Sequence, residues 1–389
     1  MKIGIISEQR PDENRVAATP QTVRKFIAMG LTVSVETNAG TSAAISDSAY
    51  EQAGASIEST PNEVLKNADI VIKVQKPVGP VVTETNLVNE INLIKDGAVL
   101  ACLMEPYRDR PLFDAIAKKN ITCFAMEFLP RITRAQTMDV LSSQSNLAGY
   151  KAVIEAGSVF GRAFPMMMTA AGTVPPAKCL IMGAGVAGLQ AIATARRLGA
   201  VVSATDVRPA AKDDVKSLGA TFEAVEDDEF KEAETSGGYA KEMSQTYKNK
   251  QADLIAETIP KQDIIICTAL IPGRQAPELV SEEMVKEMNP GSVIVDLAVE
   301  QGGNCPLSEI GKTVVRHGVT IIGTTNMPSQ LAIDASALYS NNLLNFISLI
   351  LDKDTGKINI HENDEIIKES MVTRLGSVIH PSILSLPST

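Results

Sequence analysis

The sequence predicts an α/β fold made of two doubly wound parallel-sheet domains. Short apolar runs rich in Val and Ile recur along the chain with helix-period segments between them, which implies parallel strands with helices on both faces. The pattern restarts near residue 180, giving a second unit of the same kind. A chain of 389 residues is long enough for both to hold a full core.

In the first unit, residues 2–6, 31–36, 69–74, 98–103 and 121–126 read as strands, with helical spacing at 19–29 and 111–119. No glycine fingerprint follows the first strand, so this unit reads as a scaffold without a phosphate cradle. In the second unit the strands fall at 180–182, 201–205, 221–225, 263–270, 292–298 and 319–323. Residues 138–162 read as a long helix carrying the chain between domains, and 331–351 as another. The remaining tail is too short for a domain and is expected to return to the first unit. The domains are then 1–140 plus 328–389, and 141–327.

Residues 178–188, K-C-L-I-M-G-A-G-V-A-G, carry the sharpest signal. An apolar strand leads into Gly183, Gly185 and Gly188 in G-x-G-x-x-G spacing, a helix follows at 186–198, and a second strand ends at Asp206. Gly183 allows the tight turn, Gly185 leaves room for a pyrophosphate, and Gly188 lets the helix pack close. The helix start, with Ala184 and Val186 beside Gly185, points N–H groups and a positive dipole end at phosphates. A carboxylate at Asp206, followed by Val207 and Arg208, accepts from a ribose 2′-hydroxyl and repels a 2′-phosphate, so the site is expected to hold NAD(H) rather than NADP(H). Arg208 has the chemistry to serve a 2′-phosphate, but beside Asp206 it reads first as a solvated loop arginine. Both units are thus Rossmann-like, and the cofactor cleft is expected between them, because open sheets bind ligands at the carboxyl ends of their strands.

Residues 225–262 form a long, charged insertion with Gly237, Gly238 and Tyr239 near its middle. It reads equally as a solvated helical hairpin or as a lid hinged on the glycines, with the tyrosine reaching the cofactor.

Composition narrows the class. A net charge of −10 argues against nucleic acid or an anionic membrane surface as main partner. Cysteines at 102, 123, 179, 267 and 305 include no C-x-x-C pair and suggest reduced core thiols without a metal site. Residues 163–195 contain one charge, Lys178, among the apolar stretches, but prolines and glycines break them into pieces too short for a membrane span. The N-terminus meets charge too early for a signal peptide.

The three histidines, His317, His361 and His380, fall outside the expected cofactor positions and read as ordinary surface or core residues. A denser polar group lies at 131–146, R-I-T-R-A-Q-T-M-D-V-L-S-S-Q-S-N, directly after the last strand of the first unit. Taken alone it reads first as a polar loop with a serine helix cap. Its functional reading is that Arg131, Gln136, Asp139 and Ser142 hold a carboxamide and a ribose. Hydride passage between two nicotinamides needs orientation and close approach, with no proton shuttle.

Across essentially the whole length, the chain resembles the family that alanine dehydrogenase shares with the alpha subunit, or domain I, of the proton-translocating NAD(P) transhydrogenases. The matching stretches are R-P-D-E-N-R-V-A-A-T-P at 10–20, the 131–150 loop, F-P-M-M-M-T-A-A-G-T-V-P-P-A, G-A-G-V-A-G-L-Q-A-I-A-T-A, G-G-Y-A-K-E-M, T-A-L-I-P-G and D-L-A-V-E-Q-G-G-N-C-P-L. The resemblance implies that Arg131, Gln136 and Asp139 position the nicotinamide for hydride transfer, with Ser142 nearby. It places Ala184, Gly185 and Val186 along the pyrophosphate and Asp206 on the adenosine ribose. Gly238 and Tyr239 would belong to a mobile loop, and Gln251 and Leu270 would be further cofactor contacts. It also implies a homodimer on the cytosolic side of a membrane, NADP(H) on a separate domain III and proton movement through a membrane-spanning domain II. Alanine dehydrogenases bind pyruvate through a lysine in K-V-K-E-P and a later histidine. Here the first motif reads K-V-Q-K-P, with Gln75 in the lysine's place, and Leu103 or Met104 stands where histidine is expected. Lys73 and Lys76 remain close by.

Overall fold

The computed structural model describes residues 1–79, 87–231, 243–352 and 355–387. The chain divides into two compact units, Met1–Gln144 with Ser329–Thr389, and Ser145–Pro328. The division falls inside the helix Val140–Val159.

The first unit begins with β1 (Lys2–Ile5), β2 (Thr32–Glu36), β3 (Ser56–Glu58), β4 (Ile70–Ile72), β5 (Val99–Cys102) and β6 (Thr122–Ala125). These are parallel, in the spatial order β6-β5-β4-β1-β2-β3. The order reverses between β1 and β4, the switch point of a doubly wound sheet. Successive side chains on a strand face opposite ways. Ile70 and Ile72 join one core with Phe26 and Phe346, whereas Val71 joins another with Leu100 and Phe113. With both faces covered, β4 reads as an unbroken apolar run.

In the second unit, β7 (Met167–Thr169) and β8 (Gly172–Val174) form an antiparallel hairpin joined to neither large sheet. The main sheet contains β9 (Lys178–Met182), β10 (Val201–Thr205), β11 (Thr221–Phe222), β12 (Ile264–Cys267), β13 (Val293–Asp296), β14 (Thr313–Arg316) and β15 (Val319–Ile322). Its order, β11-β10-β9-β12-β13-β15-β14, puts the switch point between β9 and β12. Ile264 and Ile266 pack on one face while Ile265 and Cys267 pack on the other. The tail then adds β16 (Met371–Arg374) and β17 (Ser377–Val378) to the β6 edge of the first sheet.

Both sheets are parallel in their bodies but antiparallel at one edge: β14 against β15, and β16 against β6 and β17. The edge pairs β14–β15 and β16–β17 each close through two residues with positive φ, His317 (51°) with Gly318 (80°) and Leu375 (48°) with Gly376 (79°). Such a turn matches strand twist and suits an edge hairpin, which needs no crossover helix. His317 is therefore a turn residue, its ring Nε2 lying 3.1 Å from Glu282. The expected helix at 138–162 starts only at Val140, because Thr133–Met138 winds as a 3-10 helix. In the insertion, the helix Gln245–Thr258 is capped by Ser244, while Gly237, Gly238 and Tyr239 lie outside the described residues.

Candidate functional site

At the second unit's switch point, β9 turns at Gly183 into the helix Val186–Arg197. Gly183 has φ +101°, and a Cβ there would lie 2.6 Å from Thr268 Oγ. A Cβ on Gly188 would lie 1.8 Å from the Gly183 carbonyl oxygen, so only glycine permits this helix-to-strand approach. Gly185 differs: a Cβ there would meet nothing within 4 Å. The sterics assign turn and packing roles to the outer two glycines and leave the middle one beside open space at a helix N-terminus. Thr268, at the end of β12, braces the turn by donating to the carbonyls of Gly183 (2.9 Å) and Met182 (3.2 Å).

Asp206, at the end of the adjacent β10, ties strand end to glycine turn. Its Oδ2 accepts from the Ala184 N–H at 2.8 Å and from Arg208 Nη2 at 2.9 Å, and its Oδ1 accepts from the Arg208 N–H and Nε. Arg208 is thus a partner of the acid rather than a loose loop residue, while Val207 is exposed. Gln251 donates to Thr205 Oγ at 3.0 Å and accepts from the Val225 N–H at 2.9 Å. Both ends of its amide bind protein and brace the end of β10. Val186 and Leu270 are exposed and Ala184 is buried. Gly238 and Tyr239 fall outside the described residues.

The loop that carries Leu270 is held by Asn304, which stands in one of the matching motifs with no role evident from its neighbours in sequence. Asn304 accepts from the Ala269 N–H at 3.1 Å and donates to the carbonyls of Ala269 (2.9 Å) and Pro277 (2.7 Å). Asp296, fully buried, fixes the Asn304 backbone by accepting its N–H at 2.9 Å. Thr268 likewise stands in a matching motif, so the signal is present in the sequence and only the function of each side chain is hidden.

In the first unit, the 3-10 helix Thr133–Met138 buries Ala135 and Met138 and leaves Gln136 exposed, with Arg131 exposed just ahead of it. Asp139 caps the helix Val140–Val159: Oδ1 accepts from the Ser142 N–H at 2.9 Å and Oδ2 from the Ser142 hydroxyl. The cap is an aspartate, with Ser142 as its partner, rather than a serine.

The two lysines near the keto-acid motif are both engaged. Lys73 is 1% exposed and lies 3.1 Å from Glu8 and 3.2 Å from Glu90, at the first unit's switch point. Burial would lower its pKa, but the two carboxylates outweigh that and hold it raised. Lys76 lies 2.8 Å from Glu105. Gln75 donates to Glu13, which also pairs with the buried Arg15 at 2.6 Å. The Met104 side chain is fully buried, and its N–H donates to Glu127.

Residues 4–148 match the model for the N-terminal domain of alanine dehydrogenase/PNT, and residues 152–381 match the model for the C-terminal domain. The chain is 56% identical to an NAD(P) transhydrogenase subunit alpha chain from Rhodospirillum rubrum, over 98% of this chain and 99% of that one. Among solved structures it is similar to transhydrogenase from Sinorhizobium meliloti (TM-score 0.87, 49% identity, 97% of this chain and 100% of that one). An L-alanine dehydrogenase matches with TM-score 0.80 and 26% identity, over 98% of each chain. The chain belongs to the alanine dehydrogenase/PNT family, in the branch of the NAD(P) transhydrogenase alpha subunits.

Proposed function

We propose that this chain binds NADH at the glycine turn of the second unit and passes the hydride directly to NADP⁺ held on a separate domain III partner. Membrane-spanning domain II subunits carry the coupled proton movement, and the chain works at the cytosolic side through them. Among the described residues no helix is long and apolar enough to cross a membrane, which agrees with that division of labour.

Two electrons and one hydrogen leave C4 of the dihydronicotinamide together and arrive at C4 of the other ring, giving NAD⁺ and NADPH. No solvent proton is gained or lost in the step, so the chain must supply orientation, desolvation and close approach. Arg131 and Gln136 orient the nicotinamide carboxamide, while Asp139 and Ser142 hold its ribose. Ala184, Gly185 and Val186 line the pyrophosphate, with Gly183 and Gly188 shaping the turn. Asp206, Val207 and Arg208 face the adenosine ribose, and Leu270 and Gln251 complete the surroundings.

The observation that carries this choice over an amino-acid dehydrogenase is the engagement of Lys73 and Lys76 with carboxylates, beside Gln75 and the buried Met104. Neither lysine of that motif is left open to hold a keto acid. A homodimer is supported by the β7–β8 hairpin, which exposes Met167 and Met168 (42% and 79%), with Met166 (60%) just before it, and belongs to neither main sheet. A bare apolar hairpin gains by burial against a second copy.

The test is to mix the chain with a domain III protein and follow reduction of an NADP⁺ analogue by NADH. Turnover is expected. Failure with every such partner, combined with turnover of pyruvate and ammonia, would reverse the assignment.

A further inference from the structure

The helix Ala332–Leu349 is apolar and largely buried, yet it carries Asn342 and Asn345. A buried amide costs free energy unless its groups find partners. Spaced three residues apart, the two side chains share one helix face, and both converge on the Thr137 carbonyl oxygen: Asn342 Nδ2 at 2.9 Å and Asn345 Nδ2 at 3.1 Å. A carbonyl only accepts, so both NH₂ groups must face it. The remaining oxygen of Asn342 accepts from the Ser143 hydroxyl at 2.8 Å. Asn342 therefore grips the chain on both sides of Asp139, at 137 and at 143.

A second clamp acts on the same segment. Arg134 donates through both terminal nitrogens to Asp364, at 2.6 and 2.8 Å. Asp364 in turn caps the helix Glu365–Ser370 through the Ile366 N–H. Two parallel N–H···O bonds fix direction as well as distance. Ala135 and Met138 anchor the segment from beneath. The C-terminal part of the chain thus holds the segment that exposes Arg131 just ahead of the 3-10 helix and Gln136 within it.

We propose that Asn342, Asn345 and Asp364 are positioning residues for hydride transfer: they touch neither nicotinamide but hold Arg131, Gln136 and Asp139 in register. The proposal rests on the assignment of that loop to the transfer step. Small displacements at reacting centres cost on the order of 100-fold in rate. Asn342→Ala should therefore lower kcat for transfer to the NADP⁺ analogue about 10- to 100-fold, and Asn345→Ala about threefold. NADH affinity of the chain alone, read by nicotinamide fluorescence, should fall by a smaller factor than kcat, because the glycine turn is untouched while the groups that hold the nicotinamide end shift. Tryptic cleavage after Arg131 and Arg134 should become faster in Asn342→Ala. Asn342→Asp adds a pH signature: kcat should recover as pH falls from 8 towards 5, because only the protonated carboxyl can donate to Thr137. The wild-type profile serves as control.

Unchanged kcat with unchanged cleavage in Asn342→Ala would overturn the proposal. So would a parallel loss of kcat, NADH binding and melting temperature. Should Asn342→Ala not fold, Asn345→Ala and Asn342→Asp decide the matter alone. Arg131→Ala and Gln136→Ala separate the two claims. If they leave transfer untouched, the loop assignment fails and the clamp's functional role falls with it. If they slow transfer while Asn342→Ala does not, only the clamp fails.

Discussion

In the proposed site, nucleotide choice falls to a single side chain, Asp206. Each of its oxygens already accepts from two N–H groups, those of Ala184 and Arg208. A carboxylate offers about four acceptor directions, so a ribose hydroxyl must take the place of one partner, and the flexible Arg208 fork is the one able to move. Asp206→Asn removes the charge that repels a 2′-phosphate and frees Arg208 to meet it. The Kd ratio of NADPH to NADH should fall at least about tenfold, as expected for a charged hydrogen-bond partner; an unchanged ratio would remove Asp206 from the ribose. Glu127 is a second case. Half-buried, it has its pKa raised to about 7 by desolvation, against backbone N–H groups that favour the ionised form. A raised folded-state value means its contribution is present below the ordinary value of 4.5 and lost as pH rises through about 7. Glu127→Gln does not titrate, so its urea stability relative to wild type should improve by on the order of 2 kcal/mol between pH 5 and pH 8. A difference independent of pH would contradict this.

At the level of elements, the strands buried on both faces were plain in the sequence, because β4, β12 and β13 are short, unbroken apolar runs. The edges were harder to read. Strands β14 and β17 have mixed exposure, and their only strong signals are the His317-Gly318 and Leu375-Gly376 turns. The hairpin β7–β8 was hidden for the opposite reason: it has no buried face within the chain, so periodicity has nothing to report. That hairpin gives its own prediction. With the proposed homodimer closed through this hairpin, Met168→Asp should shift the chain towards monomer in sedimentation, with little change in NADH affinity, and an unaltered sedimentation coefficient would dismiss the hairpin as the contact. The candidate site was legible where one residue type is sterically required, as at Gly183 and Gly188. It was not legible where support comes from afar, since Asn342 meets Thr137 across some two hundred residues of chain.

Over the whole molecule, two sheets of the same winding differ at their switch points. In the second unit, Gly185 leaves open space at a helix N-terminus. In the first, Lys73, Glu8 and Glu90 fill the corresponding place with a buried ion cluster, so a scaffold that elsewhere holds a ligand here holds itself. The central claim is that one hydride moves between two nucleotides without meeting solvent. NADH carrying deuterium at the transferred C4 position, supplied to the chain with its domain III partner and NADP⁺, tests it most directly. Mass spectrometry should find the deuterium in the NADPH formed and none in the water; label released to solvent, or found instead at C2 of alanine when pyruvate and ammonia are supplied, would contradict the account.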